Sequence, residues 1–318
     1  MVRILLVFSL IFTAVCGSYI NHSGCVLSAE PPDPNSECCG IDTLSTFSIV
    51  GGEKTELEQY PWLVSIEYHN RWYNTYSIRC GGVLISGRYV LTAAHCLAGN
   101  IEVFGKPVNV YLGDYDIRNS GPDCIKTDYG EKCTDGALKT RIHSYIVHPG
   151  YHSNKSSNFN DIALIRLSTI APYTNFIRPI CLPSFDIISA LPYEYFLYVA
   201  GWGAIKQNSP SGWGAYQKYE YDGIKRHVAL PYKPIEFCRA ALGAFVNQQH
   251  ICAGGQQGKD SCTGDSGGPL MFEDDGTYVA IGIVSFGSGK VPCGTENYAA
   301  IYTNVFAHMN WIYKNIQQ

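Results

Sequence analysis

Gly264-Asp265-Ser266-Gly267-Gly268-Pro269 is the stretch that decides the reading of this chain. A serine set between glycines in a tight turn presents its hydroxyl with open backbone around it. Gly264 and Gly267 leave room for a carbonyl group to approach Ser266, and the N–H groups of Gly264 and Ser266 are the candidate donors for the oxyanion that forms on attack. Glycine–serine turns are common, so this string alone is a weak signal. Two strings upstream change its weight: Leu91-Thr92-Ala93-Ala94-His95-Cys96 and Asn160-Asp161-Ile162-Ala163-Leu164. An aspartate at the mouth of an apolar run is costly to bury without a partner. His95 is that partner: Asp161 accepts from one ring nitrogen and fixes the tautomer in which the other takes the Ser266 proton.

Together with Ile49-Val50-Gly51-Gly52, these strings, in the order His, Asp, Ser, resemble the trypsin/chymotrypsin-like serine proteases over about residues 49–318. The resemblance implies an all-β fold: two six-stranded antiparallel barrels, the active site between them, and a C-terminal helix. It implies Ser266 as nucleophile, His95 as base and then acid, Asp161 as its orienting partner, and the amides of Gly264 and Ser266 as the oxyanion hole. It implies a zymogen, in which a cut between Ser48 and Ile49 frees an amine that pairs with Asp265. Most relatives carry Arg or Lys where this chain has Ser48, here preceded by Phe47, so a trypsin-like activator is not expected to cut there.

Specificity follows in the same way. Asp260, six residues before Ser266, falls on the floor of the family's primary pocket and implies a substrate Arg or Lys. Ser285 and Gly287 fall on the edge that meets the substrate backbone, with Gly287 leaving one wall open. Ala300 stands where trypsin-like members usually have glycine, and its methyl narrows the slot.

Composition limits the alternatives. At 318 residues and 46% hydrophobic, the chain is long enough for one large domain with an appendage. A net charge of −4 gives no case for nucleic acid or an anionic membrane surface as partner. The expected partners are a protein substrate, an upstream activating protease and protease inhibitors. Residues 1–18 read as a secretory signal, with Arg3, an apolar stretch too short to span a bilayer, and Cys16-Gly17-Ser18 for cleavage. The protein is therefore expected to be extracellular.

Of 13 cysteines, loss of Cys16 with the signal leaves 12, and an oxidising compartment then predicts six disulfides. Cys80 and Cys96 bracket the histidine loop. Cys124 and Cys133, nine apart, suit a local pair, as do Cys238 with Cys252; Cys262 and Cys293 brace the pocket. Residues 19–48 form a short prosegment with Cys25, Cys38 and Cys39, too polar to bury a core of its own. Its paired cysteines resemble the end of a clip domain in arthropod clip-domain proteases, though a complete one needs six. A plain disulfide-tethered light chain is the alternative. Cys181 is expected to pair back to it through Cys39, with Cys38 as the alternative. Asn21 and Asn154 begin N-glycosylation triplets.

Residues 114–140 read as a long loop. Asp114, Asp116 and Asp123 make it a candidate calcium (Ca2+) loop, against the plainer alternative of a solvated acidic loop. No other cofactor is implied. His143, His148 and His152 lack a spacing that specifies a metal site and are read as structural or exposed. Tyr216, Tyr219 and Tyr221 lie in a long loop that in the family borders the cleft. An extra loop disulfide and a tethered light chain favour a cascade protease over a digestive enzyme. A non-cutting protease-like homologue is the competing class; such homologues usually lack a member of the triad, and all three are present here.

Overall fold

A computed structural model describes residues 24–42, 53–98, 105–128, 130–152, 159–208, 218–243, 245–289 and 291–316. Asn21, Ser48, Ile49 and Asn154 lie outside the described residues.

Alternating apolar runs and turns produce short antiparallel strands. The first six long ones close into a barrel. They are β2 (Leu63–Asn70), β3 (Thr75–Leu84), β4 (Tyr89–Thr92), β5 (Lys106–Leu112), β8 (Leu138–Val147) and β9 (Ala163–Leu167), in the order β2-β3-β4-β9-β8-β5. On these strands Val64, Ile66, Val83, Leu91, Val110, Leu164 and Ile165 are fully buried, so both faces of the sheet carry apolar burial, the main stabilising term for such a sheet.

The second barrel is built from β10 (Phe196–Gly201), β13 (Arg226–Lys233), β14 (His250–Gly254), β15 (Pro269–Asp274), β16 (Thr277–Phe286) and β17 (Ala299–Asn304). Its order is β13-β10-β15-β16-β17-β14, and it closes where Tyr232 and Lys233 of β13 meet Ala253 and Cys252 of β14. The start of β13 carries an extra two-residue strand, β1 (Glu53–Lys54), and outside the barrel β11 (Lys206–Asn208) pairs with β12 (Lys218–Glu220). Proline opens a short helix, Ile235–Leu242, and the chain ends in the helix Met309–Asn315 with Ile312 buried beneath it.

The loop expected over residues 114–140 is more structured than its composition suggested. Strands β6 (Cys124–Thr127) and β7 (Gly130–Cys133) pair as a hairpin with Cys124 opposite Cys133, and β8 already begins at Leu138. The disulfide supplies the order that a polar hairpin lacks.

Among the described residues there are six disulfides: Cys25–Cys38, Cys39–Cys181, Cys80–Cys96, Cys124–Cys133, Cys238–Cys252 and Cys262–Cys293. The tether therefore runs through Cys39, and Cys38 closes a small loop with Cys25. Residues 24–42 lie against the barrels: Gly40 N–H donates to the Pro179 carbonyl, Tyr278 N–H donates to the Gly40 carbonyl, and Cys39 and Asp42 are buried. This polar segment folds by docking on a core that belongs to the rest of the chain.

Candidate active site

His95 sits on a one-turn helix, Ala94–Ala98, that leaves β4. Two ties hold that helix: the Cys80–Cys96 disulfide to β3, and Thr92 Oγ1 donating to the Gly81 carbonyl at 2.8 Å. Asp161 precedes β9 and is fully buried. Its Oδ1 accepts the His95 backbone N–H and its Oδ2 meets His95 Nδ1, both at 2.8 Å. Both contacts fix the imidazole relative to the carboxylate, leaving Nε2 for the cleft.

The second barrel completes this corner. Ser285 Oγ donates to Asp161 Oδ2, and Thr303 Oγ1 donates to the Asp161 carbonyl at 2.9 Å. Burial pushes the Asp161 carboxyl up, but the His95 charge and these hydrogen bonds outweigh it and hold the group below its usual range. For His95, burial pulls down while the Asp161 charge and hydrogen bond prevail, leaving the imidazole above its ordinary value.

Ser266 approaches from the second barrel. Gly81 N–H donates to the Ser266 carbonyl at 2.8 Å, so the turn that carries Ser266 is pinned to the first barrel. Gly267 makes this approach feasible: its φ is +81°, and a Cβ there would lie 2.2 Å from Thr92 Oγ1. Gly264 is in a similar position, with φ +104° and a would-be Cβ 3.0 Å from Gly203 Cα. His95, Gly264 and Ser266 line one cavity of about 420 Å³ with Tyr68, Ile78 and Tyr221.

A second cavity, of about 190 Å³, opens on the other side of Ser266. Asp260, Ser285, Gly287, Ala300 and Tyr219 line it. Asp260 Oδ2 accepts from Gly294 N–H at 3.0 Å, while its buried Oδ1 has no hydrogen-bond partner among the described residues. Burial pushes this carboxyl up to about 7, against the pull of the Gly294 and Ser261 amides. Cations meet such carboxyl oxygens through charge-assisted hydrogen bonds. Gly287 leaves its side open, since a Cβ there would meet nothing within 4 Å. Ala300 is buried in β17 and contributes its methyl to the wall.

Asp265 borders a third cavity, of about 200 Å³, lined also by Gly201, Gly203, Arg226 and His227. Its Oδ1 accepts from Gly203 N–H at 2.8 Å and its Oδ2 from Cys262 N–H at 2.9 Å. Among the described residues it makes no ion pair, and burial pushes it up to about 6. Gly201 and Gly203 form the cradle: a Cβ on either would lie within 2.4 Å of an Asp265 oxygen. Gly201-Trp202-Gly203 carries the signature of that cradle in the sequence. Ser285 lines the cavity beside Asp260, and its hydroxyl also goes to Asp161, a contact that no local pattern reveals.

Residues 49–312 match the family model described as Trypsin. The chain belongs to the trypsin family. Within it, the chain is similar to the phenoloxidase-activating enzyme of Bombyx mori, at 44% identity over 299 residues, covering 92% of this chain and 66% of that protein. The CLIP domain-containing serine protease B9 of Anopheles gambiae is 37% identical, covering 90% of this chain and 67% of that protein. The Spaetzle-processing enzyme of Drosophila melanogaster is 35% identical, covering 89% and 70%. The chain thus spans about two thirds of the length of these trypsin-family relatives.

Asp114, Asp116 and Asp123 are buried and lie beside one another, though among the described residues their carboxylate oxygens do not converge as a ligand set. Asp116 pairs with Arg118, and Asp123 accepts from Asp116 N–H and Asn119 Nδ2. Burial lifts Asp114 to about 7 beside Asp123. His148 packs on Trp311 and His308, away from His143, which contacts Ser144. No described helix is long and apolar enough to cross a membrane.

Proposed function

We propose that this trypsin-family chain is a secreted serine endopeptidase made as a zymogen and cutting after Arg or Lys in an extracellular proteolytic cascade. The observation that carries it is the placement of Ser266 between two cavities, one bounded by His95 and the other floored by Asp260. Ser266 Oγ attacks the scissile carbonyl while His95 Nε2 takes its proton and later returns it to the leaving amine. Asp161 stabilises the imidazolium in between, and the amides of Gly264 and Ser266 receive the oxyanion. The substrate's basic side chain neutralises Asp260.

Residues 1–18 serve as signal peptide and 19–48 as a light chain that stays tethered through Cys39–Cys181 after the cut before Ile49. The new amine pairs with Asp265, whose cavity and glycine cradle support this role. The activating protease recognises Ser48 rather than Arg or Lys. The names of the relatives, which include Melanization protease 1 of Drosophila melanogaster, support a cascade of the melanisation or immune type.

The test is a peptide panel on protein activated through a cleavable site placed before Ile49. Turnover of Arg or Lys substrates that vanishes in Ser266→Ala is expected. Turnover of Phe or Leu in their place would overturn the pocket assignment. Absence of all turnover, with Ile49 shown to be the new terminus, would favour a non-cutting regulatory homologue.

A further inference from the structure

The β11–β12 hairpin reaches a place to which the proposed chemistry gives no role. Gln207 of β11 stands directly opposite Tyr219 of β12, and both side chains line the cavity that holds Asp260. The hairpin is tied to the segment before Ser266, since Ala204 N–H donates to the Thr263 carbonyl at 2.9 Å. Its strands are also joined where they begin, by Ile205 N–H donating to the Glu220 carbonyl at 2.9 Å.

Gln207 does more than fill a wall. Its Oε1 accepts the Cys293 N–H at 2.9 Å and lies 3.9 Å from Cys262 Sγ, so one amide oxygen meets both halves of the Cys262–Cys293 disulfide. Its Nε2 faces the Tyr219 hydroxyl at 3.5 Å. The next amide along the chain, Gly294 N–H, is the one that donates to Asp260 Oδ2 at 3.0 Å. Cys293 and Gly294 are the middle residues of a tight turn, in which Thr295 N–H and Oγ1 both donate to the Pro292 carbonyl, at 3.3 and 2.7 Å. The Gly294 carbonyl accepts from Gly258 N–H at 2.7 Å. The Cys293 N–H points out of this turn, and a side chain from another hairpin receives it.

This chain of contacts fixes the plane of a carboxyl group. Asp260 is held by the Gly294 and Ser261 amides, while its Oδ1 has no hydrogen-bond partner among the described residues. Without the anchor on Cys293 the turn is free to tilt, and the Gly294 N–H tilts with it. Basic side chains differ in what they ask of that plane. A guanidinium is a rigid planar fork that meets both oxygens of a carboxylate only when the two planes agree, whereas an ammonium is a compact point charge that tolerates many approaches.

We propose that Gln207 is a positioning residue that sets the preference for Arg over Lys, acting through the Cys293–Gly294 turn on the orientation of Asp260. The proposal rests on the endopeptidase reading above and deepens it, since that reading treats the two basic residues alike.

The test uses the activated full chain and two chromogenic peptide amides that differ only in carrying Arg or Lys before the cut bond. Gln207→Leu keeps the bulk of the side chain and removes its oxygen. KM for the Arg peptide is expected to rise about fivefold and KM for the Lys peptide less than about twofold, with kcat on both nearly kept. Gln207→Glu retains an oxygen that accepts the Cys293 N–H and is expected to restore the wild-type ratio of Arg to Lys turnover. A residue that acted only through packing would shift both peptides alike and would not be rescued by Glu. Equal changes on Arg and Lys, no change on either, or a ratio in Gln207→Glu as low as in Gln207→Leu would therefore overturn the proposal. Gln207→Ser removes the same oxygen without an apolar side chain on a half-exposed strand, and it gives the same reading should Gln207→Leu fold poorly.

Failure of the endopeptidase reading shows separately, as no turnover of either peptide by the wild type. Binding to Ser266→Ala protein then decides, since it needs no cleavage. Benzamidine presents a planar amidinium and butylamine a compact ammonium. Benzamidine binding weakened about fivefold by Gln207→Leu on that background, with butylamine binding kept, supports the proposal. The same loss for both probes, a loss for neither, or no binding of benzamidine at all overturns it.

Discussion

The corner around Asp161 and the corner around Asp260 and Asp265 both bury carboxylates, and they resolve the cost in opposite ways. Asp161 is met from both barrels: His95 supplies a ring nitrogen and a backbone N–H, Ser285 a hydroxyl, and Thr303 binds the backbone carbonyl. That corner is finished in the uncut chain, and its carboxyl is held below its usual range. Asp260 and Asp265 receive only backbone amides among the described residues, and burial lifts them to about 7 and about 6. The difference teaches which parts of the site are self-sufficient and which wait for a cation. In the proposed mechanism one cation is the substrate's and the other is the chain's own new terminus.

The sharpest way to break the comparison is to disturb the finished corner. Asp161→Asn keeps the shape but reverses the tautomer preference of His95, and kcat in a peptide assay is expected to fall about 10⁴-fold. Ser285→Ala removes one donor of several and is expected to cost only about tenfold. Equal losses in the two variants would mean that Asp161 is not held redundantly.

The waiting corner is probed next. Asp265→Asn leaves the terminus of the cut protein without its counter-charge, at roughly 3–5 kcal/mol. Cut Asp265→Asn is therefore expected to show activity close to that of the uncut wild type, measured after the same activation. Asp260→Ser is expected to erase roughly 2–5 kcal/mol of preference for Arg or Lys, read from kcat/KM across the peptide panel.

The pH dependence has a definite sign. Asp260 is lifted, so it is protonated and uncharged below about 7 in the free enzyme. A basic substrate binds the charged form, and KM for Arg peptides is expected to rise as pH falls through that value. Asp260→Ser should lose this dependence while keeping the fall in kcat/KM that protonation of His95 imposes. The smallest effect is expected at the pocket wall: Ala300→Gly removes one methyl and should raise kcat/KM for Arg peptides about tenfold. No change would show that the slot is not limiting.

Much of this was legible along the chain. Three short strings single out His95, Asp161 and Ser266, which the structure brings together at one cavity corner; their neighbours are local, a glycine where backbones approach and a cysteine where a loop is clamped. The alternating runs around Trp62, Val83 and Val90 were readable as strands for the same local reason. The β6–β7 hairpin was not, since its polar residues pair only once Cys124 and Cys133 are joined.

The sequence by itself determined the barrel-forming periodicity, the twelve cysteines that pair and the candidate side chains His95, Asp161 and Ser266, because each depends on residue type and short-range spacing. Only the tertiary structure decided that Ser285 and Thr303 serve Asp161 and that Gly201 and Gly203 cradle Asp265. Each of these joins residues brought together by barrel closure and barrel packing. Buried polar groups find partners in space, and neighbours in the chain do not specify which.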